Sequence, residues 1–162
     1  MPAARKLGAA CGAIIVALLL QSTVFPLLTP RLCADFPVSL VAAFGLAAGP
    51  LAGGAAGVAT GLLRDMLVGR LIGLGMITHA LAGALSGLFG GRLFSENLVV
   101  PFLVGMAVTL MEQILFICGA RAFGVVIAFR VSVVRSLWCN GLLTAFCFWL
   151  VYKLNKKMTY SD

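Results

Sequence analysis

The stretch Gly49-Pro50-Leu51-Ala52-Gly53-Gly54-Ala55-Ala56-Gly57-Val58-Ala59-Thr60-Gly61-Leu62-Leu63-Arg64-Asp65 repeats glycine at every fourth position from Gly49 to Gly61, and Asp65 takes the next place in the row. Positions four apart on a helix lie almost above one another, so a helix here shows a groove without side chains along one face. A second helix can settle closely into such a groove. In lipid that matters, because helix association there relies on packing and not on the hydrophobic effect. Gly49-Pro50 breaks the preceding helix and turns the chain into this one.

The row continues at Gly69 and Gly73, and a second row follows it at Gly75, His79, Gly83, Gly87 and Gly91. Each row has one polar intruder, Asp65 in the first and His79 in the second. A weaker row of small residues, Ala9, Ala13 and Ala17, lies near the N-terminus. Two uses are open for these rows: packing within the chain, or a groove for a partner. The glycines that line it are Gly49, Gly53, Gly57, Gly61, Gly83 and Gly87.

Composition points to the bilayer. Hydrophobic residues make up 62% of the 162 residues and charged residues 10%, against about 25% charged in an ordinary soluble domain. The chain has room for one integral membrane domain, 1–162, and for five or six spans of about 20 residues each. The net charge of +7 comes from basic residues at the ends of and between apolar runs. They read as membrane flanks and not as a nucleic-acid face. The five cysteines have no C-x-x-C spacing and mostly fall in apolar runs, which reads as buried inert thiols. Arg5-Lys6 before the apolar run from Leu7 could open a signal peptide. Gln21-Ser22-Thr23 and Pro26 follow in place of a small-residue cleavage site, so the segment is taken as the first helix.

The expected architecture is all-α, six transmembrane helices in a compact bundle, at about 7–28, 37–48, 51–68, 74–91, 98–118 and 130–152. The second is thin for a full crossing, and five spans with that segment re-entrant is the competing count. Six spans put both termini on one side. Arg5, Lys6, Lys153, Lys156 and Lys157 flank the ends and favour the cytoplasm for both.

Polar residues inside the spans should pair. Antiparallel neighbours bring Asp65 and His79 to similar depth, which predicts an ion pair or hydrogen bond between them, or else a ligand or proton site. Arg64 points about 100° away from Asp65 around the helix and is expected to snorkel to the head groups. Glu112 in the fifth span and Arg135 in the sixth nearly match in depth, which predicts a bridge between these helices. Ser132, Ser136, Asn140 and Thr144 form a polar stripe on the sixth span that should face the bundle. There is no phosphate-binding glycine loop ending in Lys-Ser/Thr, no His-Glu-x-x-His and no Gly-x-Ser-x-Gly. With a single histidine, the expectation is no enzyme, no cofactor and no metal site.

Three groups of residues together resemble the rod shape-determining protein MreD family of bacteria, best over Leu18 to Leu88. They are Leu20-Gln21-Ser22-Thr23; Gly49-Pro50-Leu51-Ala52-Gly53 with Gly57, Gly61, Leu62, Leu63 and Asp65; and Gly69, Leu71 and Gly73 with Leu81 and Gly83 beyond. Where that family has Pro-Asp-Leu opening its second helix, this chain has Asp35-Phe36-Pro37. The resemblance implies a non-catalytic component of the cell-elongation machinery in the bacterial inner (cytoplasmic) membrane. It implies binding to MreC and a link between peptidoglycan synthesis and the MreB cytoskeleton. RodA and the elongation penicillin-binding transpeptidase would be further partners, with membrane lipid around the bundle. The family is also similar in fold to the substrate-binding components of energy-coupling-factor vitamin transporters, and that is the alternative function. A vitamin pocket would need aromatic and polar groups converging in the outer half, whereas Trp138 and Trp149 sit within the last span.

Overall fold

The structure, a computed structural model, describes Gly12, Val16 and residues 35–68, 72–90, 97–125 and 133–159. Five helices run through the described residues from 35 on: α1 (Phe36–Ala48), α2 (Pro50–Val68), α3 (Leu74–Gly90), α4 (Val99–Ala122) and α5 (Val133–Thr159). No strand occurs among the described residues. The five correspond to the second through sixth expected spans. The first expected span, 7–28, lies outside the described residues except at Gly12 and Val16, and so do Ala9, Ala13, Ala17 and Ser132.

Local chemistry explains the boundaries. Pro37 stands in the first turn of α1, where its missing N–H has no helical partner to lose. Gly49 ends α1 at φ 92, a backbone shape that favours glycine, and Pro50 opens α2 directly after it. The Gly-Pro break thus joins two helices with a single residue between them. Gly124, at φ 74, closes α4 in the same way, after the helix has run four residues past the end expected at Cys118. Gly119 does not break α4. Its bare face receives the Leu74 side chain.

The thin second span turns out to be the centre of the bundle. α1 has 13 residues, about 20 Å of helix, shorter than the hydrocarbon core of about 30 Å. It packs against all four other helices, and Val38, Val41, Ala42, Ala43 and Leu46 are buried along it. α2 packs on α3 as an antiparallel pair, and α4 packs on α5. Two helices, Val99–Ala122 and the stretch Val133–Lys153 of α5, are long and apolar enough to cross a membrane, while α1 and α3 are shorter apolar helices.

Among the described residues the interior is as rich in polar side chains as in apolar ones. Ser39, Thr60, Thr78, His79, Ser86, Thr109, Asn140 and Thr144 are all within 2% of full burial. Large apolar side chains stand on the outside instead, among them Leu51, Met66, Leu67, Leu142 and Phe146. A surface of that kind suits lipid better than water. Cys147 is buried in the core and Cys118 is exposed, all of Cys118, Cys139 and Cys147 being free thiols.

Candidate functional site: a glycine seam and a buried charged cluster

The two glycine rows meet each other. A side-chain carbon on Gly61 would collide with the backbone of Gly75 and Met76, one on Gly57 with His79 and Ala80, and one on Gly53 with Gly83. Gly87 stands against Gly49 and Pro50 in the same way. Gly49, Gly53, Gly57, Gly61, Gly83 and Gly87 therefore form one seam inside the chain, between α2 and α3, with the backbones themselves in contact. Gly45 of α1 joins it beside Gly53 and Gly83. Its signal was present in the sequence, four residues before Gly49, but the helix break between them hid the continuity.

This register decides what Asp65 can reach. His79 lies level with Gly57, two helical turns from Asp65, or about 12 Å along the axis. The expected Asp65 to His79 pair is therefore replaced by a different bond. Asp65 lies level with the start of α3, and its Oδ2 accepts the backbone N–H of Gly73 (2.8 Å) and of Met76 (3.2 Å). Those amides belong to the donors a helix start leaves without partners, and the helix dipole favours a negative group there.

The charged centre of the molecule is Arg64, expected to reach for the head groups; its side chain, 31% exposed, makes ion pairs within the chain. Its direction lies about 100° around α2 from the seam. The guanidinium Nη2 donates to Asp35 Oδ2 at 3.0 Å, and Nη1 donates to Glu112 Oε1 at 3.2 Å. Nη1 also lies 3.4 Å from His79 Nε2. His79 Nδ1 is 3.9 Å from Glu112 Oε1 and 3.5 Å from Thr78 Oγ1. Asp35 from the start of α1, Arg64 from α2, His79 from α3 and Glu112 from α4 thus converge on one point, with His79 fully buried and Glu112 5% exposed.

Glu112 takes Arg64 and not the expected Arg135 as its cation. The depth match between α4 and α5 is real, but the residues that meet are one place along on each helix. Gln113 Nε2 donates to Ser136 Oγ at 3.1 Å, Asn140 Nδ2 donates to Thr109 Oγ1 at 3.2 Å, and Gly105 faces Thr144. A one-residue step turns a side chain by about 100°. Glu112 is thereby aimed at α2 and α3, and Arg135 stands on the exposed side of α5.

The polar stripe of α5 faces the bundle, and Asn140 is its hub. Its Oδ1 accepts the Asp35 N–H at 2.7 Å and its backbone carbonyl accepts Ser39 Oγ at 3.4 Å. With the Thr109 bond, Asn140 ties α5 to both α1 and α4 and anchors the residue that carries the Asp35 carboxylate. Asp35 is the residue that caps α1. The clue that it belongs to the site is its place one residue before a helix that opens Phe36-Pro37, where an acidic cap is favoured.

No set of three or more His, Cys, Asp or Glu side chains among the described residues is arranged to hold a metal ion. The cluster joins helices, since Arg64, His79 and Glu112 come from three of them and Asp35 caps a fourth. Trp138 and Trp149 face outward; Trp149 lines a shallow groove with Phe102 and Phe146 between α4 and α5. Comparison with protein-family models, with curated proteins and with solved structures found no match to this chain.

Proposed function

We propose that this chain is a six-span protein of the bacterial inner membrane, with both termini cytoplasmic, that acts as a non-catalytic scaffold of the cell-elongation complex in the manner of the MreD family. It would bind MreC and stand between peptidoglycan synthesis and the MreB cytoskeleton, with RodA and the elongation transpeptidase as neighbours. The observation that carries this proposal is the stretch from Gly49 to Asp65. The same residues that resemble the family form the backbone seam and the cap of α3. The membrane part is supported by the inside-out distribution of side chains, with an apolar exterior around a polar, hydrogen-bonded interior.

The test is purification from a mild detergent. Recovery of the chain with MreC supports the scaffold role. Recovery of a bound vitamin in place of that partner overturns it in favour of the transporter alternative.

A further inference from the structure

The charged cluster does not balance. The Arg64 guanidinium is always protonated and can only donate hydrogen bonds. If Asp35 and Glu112 are both ionised and His79 is neutral, two negative charges face one positive charge at a point where His79 is fully buried and Glu112 nearly so, with the Asp35 and Arg64 side chains 19% and 31% exposed. An uncompensated charge in such a place is strongly unfavourable. No other described group corrects the count. Asp65 of α2 is turned to the Gly73 and Met76 amides, and α5 meets the cluster through Asn140, which does not titrate.

The hydrogen bonds fix where the proton of the imidazole sits. Since Arg64 Nη1 only donates, His79 Nε2 accepts, and the single proton of the neutral ring is on Nδ1, facing Thr78 Oγ1 and Glu112 Oε1. The ring therefore has no further proton to supply. Asp35 Oδ1 is buried and receives no hydrogen bond, which leaves one carboxylate oxygen without a donor.

From the charge count, with His79 unable to add a proton, we infer that the cluster of Asp35, Arg64, His79 and Glu112 is a proton-binding site whose carboxyl pair holds one proton. That proton cancels the excess charge. Its acceptors come from α1 and α4 while its cation comes from α2, so gain or loss of the proton changes the force with which Arg64 holds these helices together. The inference rests on burial and charge within the fold and does not depend on which partner the protein binds.

The charge of the purified full-length chain in neutral-detergent micelles at neutral pH tests it, read as electrophoretic mobility against a ladder in which Asp162→Asn marks one unit. Glu112→Gln is expected to leave the net charge unchanged, because the cluster gives up its proton as it loses a carboxylate. Asp35→Asn is expected to do the same and serves if the first variant does not fold. His79→Gln is also expected to change nothing. A gain of one positive charge in Glu112→Gln or Asp35→Asn would show that both carboxylates are ionised in the wild type and would overturn the proposal. A loss of one positive charge in His79→Gln would place the proton on the imidazole and overturn it too.

Discussion

Gly54→Ala and Gly57→Ala lie three residues apart on one helix and are expected to move stability in opposite directions. A Cβ at Gly54 would lie 3.6 Å from Ala84 Cβ and 3.8 Å from the Ala80 carbonyl oxygen, both ordinary contacts. The substitution then gains only what alanine gains over glycine within a helix, about 0.5–1 kcal/mol. A Cβ at Gly57 would come within 2.5 Å of the His79 carbonyl carbon and 2.8 Å of Ala80 Cα, where carbon atoms want about 3.5–4.0 Å. Those neighbours are backbone atoms inside α3, so no rotamer change relieves them, and α2 and α3 must part by about 1 Å. Overpacking costs about 1–3 kcal/mol. The upper end applies because parting the helices also loosens the contacts at Gly53 and Gly61. After the helix gain of about 1 kcal/mol is subtracted, Gly57→Ala should be destabilised by about 2 kcal/mol. The two variants should therefore differ by about 3 kcal/mol, or roughly 6–12 °C in unfolding midpoint at about 2–4 °C per kcal/mol. Thermal unfolding followed by circular dichroism in one detergent reads the difference. A Gly57→Ala protein as stable as the wild type would refute the backbone seam, as would equal losses in both variants.

Asp65→Ala should cost about 1–2 kcal/mol, since it strips the start of α3 of its acceptor. Asp65→Asn should recover part of that loss in the same unfolding assay, because its amide oxygen can still accept. Arg64→Met leaves the Asp35 and Glu112 carboxylates without their shared cation, and breaking a buried pair in this way costs about 3–5 kcal/mol. The loss should be smaller when measured in a Glu112→Gln background, and a double-mutant cycle showing no coupling would contradict the geometry. Thr144→Val should be neutral or stabilising by about 1 kcal/mol. The Thr144 hydroxyl is fully buried without a hydrogen-bond partner, so valine of the same shape removes an unmet polar group.

The sequence reveals the seam because its cause is local: a four-residue spacing on one helix face needs no knowledge of the partner. It also reveals that the Ser136, Asn140 and Thr144 stripe turns inward, for the same reason. The partners of the charged residues were harder to read. Depth along a helix can be counted from the sequence, but rotation and register between helices cannot. Asp65 missed His79 because backbone contact at Gly57 sets the register two turns away from the level expected. Glu112 missed Arg135 by a single step on each helix, enough to send both side chains elsewhere. Asp35 was hidden because it lies outside the periodic segments, and Arg64 because its neighbours arrive from three other helices. The central place of α1 was also not legible, since its shortness reads equally as a weak span and as a core helix enclosed by longer ones.

The most direct test of the account is a disulfide across the seam's flank. In a chain whose five native cysteines are replaced, Gly54→Cys with Ala84→Cys would place two Cβ atoms 3.6 Å apart, within the range of about 3.5–4.5 Å that a disulfide needs. Oxidation in membranes should give a cross-link within one chain that leaves the protein monomeric on a non-reducing gel. Cross-linked dimers, or thiols that stay free under oxidation, would show that the glycine rows do not pack against each other inside the molecule and would contradict the account.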